Sequence, residues 1–176
     1  MKFHEIDWEN WEPVDRATLL FVIRGGQALL IRKKRGLGAG KITAPGGRLE
    51  PGESPVQCAV REAREEVGIL VDELRGHGEL WFQFRDGYSI LVSVFSSPDC
   101  KGFPKETEEA IPLWYSTKAL PYGEMWEDDI LWVPLMLAGE SFTGKFLFEG
   151  EAMLGQEVRV HSAGPATNRS PTRGTK

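Results

Sequence analysis

Glu62, Glu65 and Glu66 stand at i, i+3 and i+4 in the stretch GGRLEPGESPVQCAVREAREEVGI, which runs from Gly46 to Ile69. On a helix that spacing makes three carboxylates neighbours, and like charges so placed cost roughly 0.3 kcal/mol per pair. Arg61 and Arg64 offset part of this. The acids also fall near the C-terminal end of the expected helix, where the peptide dipole disfavours anions. Two readings are open: a solvated charged face, or a cradle for a hard divalent cation, since Mg²⁺ favours oxygen ligands. The glycine-rich loop APGGRLEPGE directly before the helix favours the second. A metal there could stand between a protein of net charge −5 and a polyphosphate.

The elements that must position these acids are legible around them. Ser54 reads as an N-cap, Pro55 suits the first helical position and Gln57 completes a capping box. Gly68 sits where a left-handed stop is wanted, so a helix is expected over about 54–67. Val56, Ala59, Val60, Ala63 and Val67 form one stripe predicted to face a sheet, with the three glutamates on a different side. TLLFVIR and QALLIRKK around Gly25-Gly26 predict a β-hairpin. RGLGAGK (35–41) is a loop, and a short strand is expected near Gly47–Leu49. ELWFQFRD (79–86), YSILVSVFS (88–96), PLWYS (112–116), FTGKFLFEG (142–150) and EVRVH (157–161) read as strands. DDILWVPLMLAG (128–139) reads as a helix in which Pro134 predicts a kink or a late start.

Residues 1–15 form an N-terminal extension that Trp8 and Trp11 are expected to dock onto the body. A single domain is expected over 16–161, and a disordered tail over 162–176, which is rich in small, polar and proline residues. An acidic chain offers no broad basic surface for duplex nucleic acid. Two cysteines without metal-ligand spacing make a disulfide scaffold unexpected, so a reducing, cytoplasmic setting is the default. No signal peptide or membrane span is expected, and the oligomeric state is left open.

Gly47, Glu53 and Arg61-Glu62-Ala63-Arg64-Glu65-Glu66-Val67-Gly68-Ile69 together resemble the complete signature box of the Nudix hydrolase family. The resemblance implies an α/β fold, an α/β/α sandwich around a mixed β-sheet. It also implies Mg²⁺-dependent hydrolysis, with Mn²⁺ able to substitute, of a nucleoside diphosphate linked to another group. It places Gly47, Glu62, Glu65 and Glu66 at the metal, and has Glu53 and Arg61 brace the loop against the helix. Glu109 matches a further glutamate that lines the metal site in close relatives; taken alone it is a surface loop charge. The general base stays open among Glu65, Glu66 and an acid outside the box.

KKRGLGAGK (33–41), EMWEDDILWVPLMLAG (124–139) and FTGKFLFEG (142–150) resemble one branch of the family, the oxidised-purine nucleoside triphosphatases related to MutT (8-oxo-dGTP diphosphatases). With the box, the likeness covers most of Thr18 to Val160. It implies that Trp126 stacks on the purine while Asp128 and Asp129 read its Watson–Crick edge. Two close carboxylates do not easily both ionise, and a protonated and an ionised acid together present a donor and acceptors. Alternatively, Asp128 caps the following helix and Trp126 is a staple at its entry. Thr18, Lys33, Thr43, Phe82 and Phe84 fall at further pocket positions, although Phe82 and Phe84 also suit an ordinary core. Leu37 stands at an aromatic position. Thr43 replaces an asparagine of the animal enzymes and Glu127 replaces a proline. The expected activity is hydrolysis of purine nucleoside triphosphates, oxidised ones included, to monophosphate and pyrophosphate. The alternatives are another nucleoside diphosphate derivative (ADP-ribose, a dinucleoside polyphosphate, an RNA cap) or a non-catalytic nucleotide-binding module. Arg85 stands where ADP-ribose hydrolases carry a proline, and Tyr88 is out of register with the tyrosine of dinucleoside polyphosphate hydrolases.

Overall fold

A computed structural model describes residues 1–162; the expectation for the tail beyond falls outside them. Gly25 and Gly26 adopt positive φ of 57° and 74°, the backbone that a two-residue hairpin turn requires. They join β1 (Asp15–Arg24) to β2 (Gln27–Lys33). The two strands pair only beside the turn, at Ile23 with Ala28 and Arg24 with Gln27. Beyond it they splay. β1 takes β4 (Gly46–Arg48) as its neighbour, while β2 takes β3 (Ile42–Thr43) and β7 (Ala110–Ser116). The gap between the diverging strands is where the candidate site lies.

The rest of the sheet is mixed. β6 (Ser89–Ser97) runs parallel to β1 and antiparallel to β5 (Arg75–Phe84). β8 (Ser141–Glu149) runs parallel to β5 and antiparallel to β9 (Ala152–His161). Alternation along β1 sends Leu20 and Val22 to one face and Phe21 to the other. The first face packs against Ala59, Ala63 and Val67 of α1 (Pro55–Val67). The second packs against Trp132, Val133 and Met136 of α2 (Asp129–Leu137). The expected layering, helices on both faces of a mixed sheet, is what forms. Among the described residues no helix is long and apolar enough to cross a membrane.

α1 starts and stops as its sequence dictates. The Ser54 hydroxyl accepts from Gln57 N–H at 3.1 Å, Gln57 Oε1 accepts from Ser54 N–H at 2.9 Å, and Gly68 closes the helix at φ 74°. Such a cap contributes about 1 kcal/mol. The buried stripe differs from expectation at several points: Val60 is only partly buried, and Cys58, outside the stripe, is fully buried. Val56 is 47% exposed, because it lies in the first turn, ahead of the packed length of the helix; a helical wheel does not record axial position. Glu66 is only 6% exposed. At about 100° per residue it lies about 20° from Ala59, inside the packed face and not opposite it.

α2 does not start late. It runs from Asp129 straight through Pro134, whose missing N–H leaves the Ile130 carbonyl free on a side where both residues are exposed. Ahead of β1, the N-terminal segment docks on the sheet as Trp8 and Trp11 predicted. Trp11 lies parallel on Trp81 at 5.2 Å and donates its indole N–H to Gln83 Oε1 at 2.9 Å. Trp8 packs between Phe3 and Trp11, and Lys145 reaches over Trp81 at 5.1 Å. Trp81 and Gln83 alternate along β5 with Phe82 and Phe84. The segment therefore covers the back of the strand whose front lines the candidate site.

Candidate active site

The loop before α1 is pressed between strand and helix. A Cβ on Gly46 would strike the Thr18 carbonyl, so only glycine fits there, and one on Gly47 would displace the Glu62 carboxylate. Thr18 Oγ1 donates to Cys58 Sγ, which donates to the Gly47 carbonyl, each at 3.4 Å. Arg61 is the hub. It forks onto Glu53 at 2.7 and 2.9 Å and donates to the Arg48 carbonyl at 3.0 Å, tying loop to helix. It also reaches Glu62 at 2.9 Å and Glu65 at 3.0 Å. The forked bond holds the Glu53 carboxyl down to about 2.

The three box glutamates fan from interior to solvent. Glu66 is buried, the Glu62 side chain is 13% exposed, and that of Glu65 is 54% exposed and turned to Arg61. The acids that converge are Glu62, Glu66 and Glu109, whose oxygens lie within 4.8 Å of one another. Glu109, immediately before β7, converges with the box acids as the resemblance implied, whereas Glu65 lies outside the group; Glu109 Oε1 accepts from Arg35 at 2.8 Å. Glu66 Oε2 is buried without a hydrogen-bond partner. Burial first, and then the Glu62 charge, push Glu66 up to about 8; burial also raises Glu62. An orphaned carboxylate oxygen, an all-oxygen donor set and a glycine that admits the Glu62 carboxylate fit a hard divalent cation.

These shifts have a sign. Glu66 has a folded pKa above its ordinary 4.5, so its contribution to stability is complete below 4.5 and lost as pH rises through about 8. Buried Asp128 and Asp129 act in the same sense, whereas His77, pushed down by burial, acts in the opposite one. In a chelating buffer the urea midpoint is therefore expected to fall between pH 5 and pH 8. The fall should shrink in Glu66→Gln, and equal slopes in the two proteins would refute the assignment.

A cavity of about 610 Å³ opens from the acids between the splayed strands. Thr18, Lys33, Thr43, Phe82, Phe84, Trp126 and Asp129 line it, together with Gly47, Glu62, Glu66 and Glu109. Lys33 Nζ donates to the Leu37 carbonyl at 2.8 Å. Trp126 stands edge-on to Phe148 at 5.4 Å and to Phe84 at 6.4 Å. Asp128 does not line the cavity. It is buried, its Oδ2 accepts the indole N–H of cavity-lining Trp132 at 2.8 Å, and its Oδ1 has no partner. Asp128 makes no capping bond, so its alternative role at the start of α2 does not hold. Burial raises both aspartates, and the Asp128 charge adds to the rise at Asp129. The Trp132 indole N–H favours the ionised form of Asp128 and so offsets part of its rise.

The NUDIX domain model matches residues 13–136. The chain belongs to the Nudix family. The oxidized purine nucleoside triphosphate hydrolase of Danio rerio is 41% identical over 138 residues, 78% of this chain and 88% of that protein. The protein of the same description from Mus musculus is 37% identical over 135 residues, 76% of this chain and 86% of that one. Among solved structures, the MutT protein from Bacillus halodurans superposes with a TM-score of 0.73 at 24% identity, over 82% of this chain and 97% of that one; this shows the shared fold.

Several parts of this Nudix site escaped the reading of the sequence. Thr107 donates to the Glu66 carbonyl at 2.7 Å and so holds the end of the Nudix helix. Arg35 pairs with Glu109 from a loop whose conformation carries no periodic signal. Tyr88 donates to Asp15 at 2.8 Å at the cavity wall, with Arg48 3.4 Å from the same carboxylate. Cys58 occupies an unspecified position of the Nudix box. Its small, apolar side chain next to Ala59 was the one available hint of burial.

Proposed function

We propose that this Nudix enzyme hydrolyses oxidised purine nucleoside triphosphates to the nucleoside monophosphate and pyrophosphate. The observation that carries the reading is that the converged acids and the Trp126–Asp129 pair open into one cavity. The descriptions of the Danio and Mus relatives support it. Glu62, Glu66 and Glu109, with the Gly47 carbonyl, would hold Mg²⁺ or Mn²⁺. When bound, such an ion neutralises phosphate charge and lowers the pKa of water.

The chain's own groups do the rest. Lys33 offers an ammonium to the phosphates in exchange for the Leu37 carbonyl. Arg61 keeps Glu62 aimed into the cavity. Trp126 gives a π-face to the base. Asp129, holding its proton, presents one donor and one acceptor to the base edge. Thr43 adds a hydroxyl, and Thr18, Phe82 and Phe84 complete the wall. Glu65 is turned outward to Arg61 and stands outside the converged acids. Water attacks phosphorus, the bridging P–O bond breaks, and the water protons end on the two products. The free thiols Cys58 and Cys100 support a reducing, cytosolic setting.

The test is a nucleotide panel ranked by kcat/KM in Mg²⁺. We expect 8-oxo-dGTP or 2-hydroxy-dATP to lead dGTP by at least about tenfold, the discrimination of one or two hydrogen bonds, and ADP-ribose to trail. Turnover should vanish in excess chelator and return with Mg²⁺ or Mn²⁺. Leading turnover of ADP-ribose, or activity that survives chelation, would overturn the reading.

A further inference from the structure

The indole of Trp126 is held from outside the cavity as well as from within it. Lys41, at the end of the 35–41 loop, places Nζ 5.3 Å from the centre of the ring. The same ammonium lies 3.3 Å from Glu151 Oε2, in the turn between β8 and β9. Glu127, next to Trp126, accepts the backbone N–H of Met153 in β9 at 3.0 Å. Gly38 packs so closely that an added Cβ would stand 2.7 Å from the indole nitrogen. The 35–41 loop thus meets the indole directly, while the β8–β9 turn and β9 hold Lys41 and the neighbouring Glu127.

Lys41 does not line the cavity, whereas Trp126 does. The ammonium therefore reaches the indole from outside the cavity that Trp126 lines. The Lys41 side chain is 20% exposed, so its attraction to the ring is stronger than at an open surface. Glu151 supplies the countercharge that keeps the ammonium there.

We infer that Lys41, anchored by Glu151, is a positioning residue for base recognition: it backs the Trp126 indole and fixes the plane against which a purine lies. The inference rests on the reading of Trp126 as the base platform. An exposed ion pair that merely joins two loops would affect stability slightly and leave KM alone.

Steady-state kinetics on 8-oxo-dGTP separate these roles. Lys41→Met is expected to raise KM about five- to tenfold with kcat held within about twofold. Lys41→Arg, which keeps the cation, should restore KM to within about twofold. Glu151→Gln should raise it about threefold. Trp126→Ala should raise KM more than Lys41→Met, and the double variant Lys41→Met/Trp126→Ala should match Trp126→Ala, because the lysine acts through the indole. If Trp126→Ala leaves KM unchanged, the base-platform reading fails and takes this inference with it. If Trp126→Ala raises KM but Lys41→Met does not, or if Lys41→Met lowers only kcat and the melting temperature, the inference alone is overturned.

Discussion

Glu66→Gln is expected to lower kcat by at least about 10³-fold while raising the melting temperature of the metal-free protein at pH 8 by about 5 °C. Both effects have one cause. Glu66 is packed into the face of α1 that meets the sheet, with one oxygen bonded to nothing. Without a cation, ionisation there is opposed by burial and by Glu62, which is why its pKa rises to about 8. Glutamine keeps the shape and removes the charge, so the folded state no longer carries an unpaired anion above that pH. The same neutral amide is a far weaker ligand for a hard cation, and a loss of roughly 4 kcal/mol of transition-state stabilisation corresponds to about 10³ in rate. Differential scanning calorimetry in chelator and kcat in Mg²⁺ check the two halves. A variant that turns over normally, or one that melts lower than the parent, would remove Glu66 from the role assigned to it.

Asp129→Ala is expected to raise KM for the preferred nucleotide about 100-fold with little change in kcat, whereas Asp129→Asn should stay within about fivefold of the parent. Alanine removes the donor and acceptor that Asp129 offers to the base edge. Asparagine offers a donor and an acceptor, as a protonated acid does. Wild-type binding should weaken as pH rises through the range in which Asp129 loses its proton, and binding to Asp129→Asn should not. An asparagine variant as poor as the alanine one would show that a carboxylate, not a carboxylic acid, meets the base. Asp128 should tolerate substitution less well in stability than in KM, because it does not line the cavity and serves Trp132.

How far the sequence could be read follows from what each signal depends on. Ser54, Gln57 and Gly68 act within one turn of their own positions, so the limits of α1 were visible, as was the hairpin around Gly25-Gly26. Phe82 and Phe84 were visible as partners by their period of two. Glu66 was misplaced because it was grouped with Glu62 and Glu65 on a side of its own, although it lies only about 20° from Ala59 and so at the margin of the packed stripe. Glu109 and Glu65 could not be ranked as neighbours of Glu62 without the fold, since Glu109 comes from the far side of the splayed strands. Asp128 and Asp129 look equivalent in WEDD, yet one turns to Trp132 and the other to the cavity, a difference set by packing around α2. The grip on Trp126 by Lys41 and Glu151 was invisible because it is made across three separate segments.

The two parallel pairings of the sheet bear on how the chain is made. β1 waits for β6, with Asp15 aligned to Ile90, and β5 waits for β8, with Phe84 aligned to Phe148. Contacts between such distant positions form slowly, after loop closure has been overcome. On the ribosome, the strand bearing Phe82 and Phe84 therefore emerges with one side unpaired until the last part of the chain follows. A polypeptide stopped before Ser141 would lack β8 altogether and present that bare apolar edge to its neighbours, so loss of the C-terminal part of the chain is an aggregation hazard as well as a loss of β8 and β9.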